Sequence, residues 1–333
     1  MSGPTVVGGR VPPSPQRFYV RDSGERRLLS DARTDGRTIA GSGLGSVVRT
    51  GADSSSLRTP EGRSCDLPGT VMFLSASGGV GVSVFAAMCA WQCVRSGLSC
   101  ALADLDLQAG GIDVTLGMEA EPGLRWGDVN APLGRMEPDA LRHELPKWED
   151  IPVLAADSWA ASTPDWWEVQ AALRALDEAH DVTVLDAGHS RQRRELRPAL
   201  AVLVTELSVL GLARTKAELA MLSGGPVALV GVAPSWTSKT GTVDPDEAQD
   251  YLGRELMGVM PKDSSLGRSV LEGTGIPAIP RRSRKLVEAV CERIERECCS
   301  STETGGRPAG SASPGGSSGS SGGSRFGVLR GRR

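Results

Sequence analysis

A glycine-rich loop follows a short apolar segment near residue 75. The apolar run Val71–Leu74 leads into Ser77-Gly-Gly-Val-Gly-Val-Ser83, and a helical pattern begins at Val82. Glycines let successive backbone N–H groups curl around an anion, and a helix N-terminus adds partial positive charge. Such loops are typical of phosphate-binding sites, although similar strand–helix turns also occur without a ligand. The residues of the predicted loop are Ser77, Gly78, Gly79, Val80, Gly81, Val82 and Ser83.

Acidic residues end two further apolar segments. Asp104 and Asp106 follow one such segment, and Asp186 ends another. A lone Asp at a strand end is usually a helix cap or part of a solvated loop, but the carboxyl ends of parallel strands share one edge, where ligands bind. Ser83 also stands where a hydroxyl would bind Mg²⁺. Together these residues predict a magnesium–nucleotide site beside the glycine loop.

The elements that must position this site form a regular alternation. Short, continuous apolar strands alternate with helices between about residues 68 and 300, which indicates an α/β fold: a mostly parallel sheet with helices on both faces. The predicted strands are Val71–Leu74, Cys100–Ala103, Ile151–Ala155, Val182–Leu185, Ala199–Thr205, Pro226–Gly231 and Glu255–Met260. The predicted helices cover 82–95, 111–117, 138–144, 164–179 with Thr163 as N-cap, 208–222, 245–253 and 283–297.

The two ends of the chain differ from this central domain. Residues 1–67 and 301–333 are rich in Arg, Ser and Gly, and their composition predicts disorder. Both ends carry net positive charge, whereas the whole chain has a net charge of −3, so the domain at 68–300 is acidic and ill-suited to bind DNA. The basic end Arg325–Arg333 is either a ligand for a partner or for anionic lipid, or a terminus without a role.

Composition also excludes several classes of protein. No apolar run approaches the roughly 18–20 residues that span a bilayer, and the N-terminus lacks the apolar core of a secretory signal. The seven cysteines are odd in number and include no CxxC pair, which favours buried, reduced thiols over a metal site. We therefore expect a cytoplasmic protein.

The segment 70–300 resembles the deviant Walker-motif ATPases of the MinD/ParA superfamily. It is most similar to the CpaE/TadZ-like branch, in its actinobacterial form. The residues that carry the resemblance are the loop Ser77–Ser83, Asp104-Leu-Asp-Leu-Gln-Ala-Gly-Gly-Ile-Asp113, Glu121-Pro-Gly-Leu-Arg-Trp126, Asp181-Val-Thr-Val-Leu-Asp186 and Leu256-Met-Gly-Val-Met-Pro-Lys-Asp263.

The resemblance assigns roles to individual residues and implies ATP and Mg²⁺ as cofactors. Ser77–Ser83 would be the P-loop, and Asp106 would position the attacking water. Asp104 and Ser83 would help to hold Mg²⁺, and Asp186 would be the Walker B acid, followed by a second switch at 187–190.

Two departures from the family pattern lie within the loop. The family loop reads Lys-Gly-Gly-Val-Gly-Lys-Ser/Thr, but Ser77 and Val82 occupy the lysine positions here. Losing one charge-assisted hydrogen bond weakens phosphate binding about 10- to 150-fold, and finger-type cations contribute about 10³–10⁵ in rate. We therefore predict weak or absent hydrolysis and leave ATP binding open. One alternative source of charge lies after the Walker B acid, in Arg191, Arg193, Arg194 and Arg197.

The resemblance implies a positioning or assembly factor for a Flp/Tad pilus or a secretion machine. Its expected partners are a motor ATPase or membrane-associated assembly proteins, with a possible homodimer and at most peripheral contact with the inner face of the plasma membrane. One alternative is an active MinD/ParA-like ATPase in septum-site determination or chromosome partitioning. Another is a dinucleotide-binding enzyme, which the missing third glycine of Gly79-x-Gly81-x-x-Val84 disfavours.

Overall fold

The protein is described here from a computed structural model, which covers residues 64–107, 111–156, 163–188, 191–222, 224–234 and 242–299. The strands are β1 (Cys65–Ser75), β2 (Cys100–Asp104), β3 (Lys147–Trp148), β4 (Ile151–Leu154), β5 (Val182–Gly188), β6 (Leu196–Glu206), β7 (Val227–Val232) and β8 (Leu256–Met260). The helices are α1 (Val82–Arg95), α2 (Ile112–Leu116), α3 (Pro138–Glu144), α4 (Trp166–Ala179), α5 (Val209–Met221), α6 (Pro245–Leu252), α7 (Ser264–Leu271) and α8 (Arg284–Cys299).

The described strands form one sheet in the order β3-β4-β2-β5-β1-β6-β7-β8. Its pairs are parallel except at one edge, where β3 runs antiparallel to β4. One apolar core lies beneath α1 and α8, and the other lies beneath α4, α5 and α6. The prediction of a mostly parallel sheet with helices on both faces is confirmed.

Neighbouring strands bring the predicted site residues to one edge. Because β5 lies between β1 and β2, the loop after β1 and the acids at the ends of β2 and β5 meet at the carboxyl edge of the sheet. The sheet therefore positions the loop and the acids without any long excursion of the chain.

Several elements differ from the sequence prediction, and three of the differences bear on the argument. The strand β1 begins at Cys65, within the range 1–67 assigned to the N-terminal region, because residues 65–67 pair with β6. The helix α4 begins at Trp166 rather than after Thr163, since Asp165 is the N-cap and its backbone N–H donates to Glu168 at 3.0 Å. The helix α7, capped by Asp263, was not predicted. The predictions for 1–63 and 300–333 lie outside the described residues.

Candidate functional site

The glycine loop adopts a conformation that its glycines make possible. Gly79 and Gly81 have φ values of 71° and 84°, in the left-handed region that disfavours residues with a Cβ. Gly81 is the N-cap of α1, and no side chain caps this helix or places an acid in its first turn. The first N–H groups and the positive end of the helix dipole thus face the edge of the sheet, as an anion site requires.

Hydroxyl groups shape the start of the loop. The buried Ser75 hydroxyl donates to the Ser77 carbonyl, and its oxygen accepts from the Ser77 backbone N–H at 3.1 Å. Ser77, which stands at a family lysine position, is itself only 5% exposed. The hydrogen bonds between Ser75 and Ser77 therefore hold the start of the loop.

Two carboxylates lie side by side on neighbouring strands. Asp104 and Asp186 are register partners in the β2–β5 pair, and both side chains are buried. One Asp104 oxygen accepts from the Asp106 backbone N–H at 2.8 Å, and one Asp186 oxygen accepts from the Gly188 N–H at 3.3 Å. Burial, with a further contribution from the Asp186 charge, raises the pKa of Asp104 to about 8. Asp104 therefore holds a proton at neutral pH.

The Glu121–Trp126 segment contacts the end of β2 but does not line the site. The indole N–H of Trp126, which is 1% exposed, donates to the Asp104 carbonyl at 2.6 Å. The buried Arg125 guanidinium donates to the backbone carbonyls of Glu121 and Gly123 at 3.0 and 3.3 Å. Trp126 thus braces the end of β2, Arg125 holds its own segment in shape, and neither lines the cavity of the site.

The loop and the acids enclose one cavity of about 260 Å³, which we call the loop cavity. Every predicted site residue lines it except Gly78, which is exposed. Gly188 belongs to the predicted second switch at 187–190. Sequence reasoning assigned no role to Ser75 or to the start of α2. The lining residues are Ser75, Ser77, Gly79, Val80, Gly81, Val82, Ser83, Asp104, Asp106, Gly111, Ile112, Thr115, Asp186 and Gly188.

The charge of the loop cavity is one-sided. Three Asp side chains line it, and within the described part of the chain no Lys or Arg does. The arginines after β5 do not fill this gap where their side chains are described. Arg193 donates to the Gly188 carbonyl at 2.6 Å and to Glu218 at 2.7 Å, and Arg197 donates to the backbone carbonyls of Arg194 and Leu196. The Arg191 side chain and the end of the second switch, 189–190, lie outside the described residues.

The cysteines lie in the apolar cores or at their margin. All seven are free thiols; six are buried, as the sequence predicts, and Cys299 is half-buried. Among the residues that the structure describes, no group of three or more Cys, His, Asp or Glu side chains is arranged to hold a metal ion. No described helix is long and apolar enough to cross a membrane.

Solved structures with this architecture define the class of the fold. A ParA family ATPase from Chlorobium tepidum matches with a TM-score of 0.56 at 17% identity, over 67% of this chain and 99% of that one. MinD in the MinC:MinD cell division complex of Aquifex aeolicus matches with a TM-score of 0.55 at 16% identity, over 68% and 96%. The chain has the fold of the MinD/ParA P-loop NTPases.

Further comparisons gave one nucleotide-bound structure and two partial sequence matches. A putative plasmid partition protein from Borrelia burgdorferi, bound to AMPPNP, matches with a TM-score of 0.50 at 11% identity, over 68% of this chain and 99% of that one. Two uncharacterized Mycobacterium tuberculosis proteins, one from each of two strains, are 40% identical over 85 residues, or 26% of this chain. The match spans only 23% of the length of each relative. No protein-family model matches the chain.

Proposed function

We propose that this chain is a positioning or assembly factor built on a MinD/ParA fold with a degenerate nucleotide site. The observation that carries the proposal is the charge of the loop cavity, where three Asp side chains surround a phosphate-type loop and no described Lys or Arg lines the space. Polyphosphate would bind weakly there, and hydrolysis would lack the cation that stabilises its transition state. Such a site is suited to holding one conformation rather than to rapid turnover.

ATP with Mg²⁺ is the ligand that these residues still fit. The N–H groups of the loop and of α1 would receive phosphate oxygens, while Ser83, Asp104 and Asp186 would hold Mg²⁺ and Asp106 would orient a water. Mg²⁺ commonly takes one or two carboxylates together with phosphates and waters, so it needs no cluster of three acids. The AMPPNP bound to a partition protein of the same fold supports this choice.

The role we propose is the placement of a Flp/Tad pilus or a secretion machine. Its partners would be a motor ATPase or membrane-associated assembly proteins, met in the cytoplasm or at the inner face of the plasma membrane. The complex of a similarly folded MinD with MinC supports a fold that works through protein partners. A homodimer is part of the same proposal.

Titration with a fluorescent ATP analogue, followed by a phosphate-release assay, tests the proposal. We expect weak binding and no turnover above the buffer blank. Val82→Lys restores an ammonium group to the cavity lining and should tighten binding about 10- to 150-fold. Val209→Lys is the matched control, because Val209 is 80% exposed and lies outside the cavity. Rapid Mg²⁺-dependent ADP release by the unaltered protein, lost in Asp106→Asn, would contradict a degenerate site.

A second candidate function is an active ATPase of septum placement or chromosome partitioning. The retained loop geometry and the paired acids at the ends of β2 and β5 favour it. Affinity capture from native cytoplasm, with and without ATP, separates the two functions. A secretion-type hexameric ATPase among the captured proteins supports the first, and division proteins or chromosomal DNA support the second.

A further inference from the structure

A second cavity, of about 510 Å³, adjoins the loop cavity, and we call it the side cavity. The two share Gly79, Val80 and Gly81, so the glycine loop forms a wall of both. The rest of the side cavity comes from α1, the end of β7, the turn between β8 and α7, α7 itself and Ser283. The turn therefore lies next to the glycine loop.

The turn lies against the loop. A methyl group placed on Gly81 would meet the Met260 side chain at 3.6 Å, which shows how closely the end of β8 approaches. Met260 pairs with Val232 in the β7–β8 ladder, so its position is fixed by the sheet. Lys262 follows two residues later and also lines the side cavity.

Lys262 is the one basic side chain that lines either cavity in the described part of the chain. Its exposed side chain reaches the Pro234 carbonyl, to which the ammonium group donates a hydrogen bond. No described carboxylate forms an ion pair with it, and the adjacent Asp263 is occupied in capping α7 through Ser265 and Leu266. A flexible four-carbon stem lets such an ammonium group exchange a carbonyl for a phosphate oxygen.

We infer that Lys262 supplies to the phosphates of a bound nucleotide the positive charge that the glycine loop lacks. The inference rests on the proposed nucleotide site and names the residue that would make phosphate binding there possible. The lysine comes from the far side of the loop, after β8, instead of from within the loop. It would place a positive charge beside the acidic residues of the loop cavity.

Displacement of a fluorescent ATP analogue by ATP and by adenosine, in the presence of Mg²⁺, tests this role. Lys262→Gln should weaken ATP binding about 10- to 150-fold and leave adenosine binding unchanged, because adenosine carries no phosphate. Lys262→Arg should retain most of the ATP affinity, and the exposed Lys285→Gln should retain all of it. Thermal melts of each variant without ligand check that the fold is preserved.

The outcomes separate the two proposals. If the unaltered protein binds ATP and Lys262→Gln binds it equally well, the role of Lys262 is wrong and the nucleotide site stands. Equal losses for ATP and adenosine would also overturn it, since they would show damage to the pocket rather than lost charge. If the unaltered protein binds neither ligand, both the nucleotide site and the role of Lys262 are wrong.

Discussion

The carboxylates of Asp104 and Asp186 set the electrostatics of the site at the scale of single residues. The two residues are register partners on β2 and β5, so their carboxyl groups lie close together. Both are buried, and two negative charges would repel strongly there. The pair relieves this repulsion by keeping a proton on Asp104, whose pKa is about 8. A metal ion or a nearby ammonium group would relieve it in a different way, by favouring the ionised form. Binding of a cation near Asp104 should therefore lower the pKa of this carboxyl group.

The stability of the ligand-free protein should fall as the pH rises from about 4 to about 8. In this range the folded chain keeps a proton on Asp104 that the unfolded chain, with an ordinary Asp pKa of 3.8, has lost. The loss should approach about 1.4 kcal/mol per pH unit from this group alone. Asp104→Asn removes the titration, so the difference in unfolding free energy between the two proteins should change across this range. Urea unfolding in EDTA measures it, and parallel pH profiles would contradict the assignment.

At the scale of elements, long-range side-chain contacts hold the ends of the strands in place. Trp126 fastens the end of β2 through the Asp104 carbonyl, 22 residues away in sequence. Arg193 fastens the end of β5 to α5 through the Gly188 carbonyl and Glu218. The geometry of the site therefore depends on segments that do not line it.

Replacing Trp126 with Phe should destabilise the protein by about 2–4 kcal/mol. The change removes the indole donor and leaves the Asp104 carbonyl without it in a buried environment, and it also opens a small void. Trp167→Phe is a matched control, because Trp167 is 43% exposed and should cost less than about 0.5 kcal/mol. Urea unfolding measures both, and equal losses would contradict a bracing role for Trp126.

The ion pair between Arg193 and Glu218 should matter more than its exposed counterpart on α8. The Arg193 and Glu218 side chains are 8% and 14% exposed, and breaking a buried pair costs about 3–5 kcal/mol because it leaves an uncompensated charge. Arg293 and Glu297 are 36% and 23% exposed, so their pair should contribute no more than about 1 kcal/mol. Chemical denaturation of Glu218→Gln and Glu297→Gln compares them. A larger loss in Glu297→Gln would refute the ranking.

Local patterns predicted the elements and the core of the site, whereas contacts between distant segments could not be predicted. The bounds of α1 and α3, the glycine loop and the strand-end acids follow from short-range periodicity and turn chemistry. The first turn of α4 was misplaced because Thr163-Pro164 and the Asp165–Glu168 box are competing start signals. The place of Arg193 beside Glu218, and not beside the loop, depends on how α5 packs, which no local pattern encodes.

At the scale of the whole molecule, two cores on opposite faces of the sheet enclose nearly all the thiols. Cys89 and Cys93 on α1, Cys100 on β2, and Cys291 and Cys298 on α8 belong to one core. Cys65 belongs to the other, and Cys299 packs at the margin of the first. Burial raises the pKa of the Cys89 and Cys298 thiols, so at these two positions the reactive thiolate form is disfavoured as well as shielded. Hydrogen bonds from Cys100 and Cys291 lower the pKa of Cys93, which is protected by its burial alone.

Thiol labelling therefore reports on the integrity of both faces of the sheet. In the folded protein at pH 8, a thiol-reactive dye should modify one cysteine before the others, and peptide mapping should place it at Cys299. Burial raises the pKa of Cys299 too, so its half-buried position and not its pKa sets it apart. All seven should react in denaturant. The variant Cys299→Ser should abolish the fast phase, because the remaining thiols become accessible only when α8 separates from α1 or the sheet opens. Fast labelling of Cys89 or Cys291 in the folded state would show that α8 does not cover this face as described.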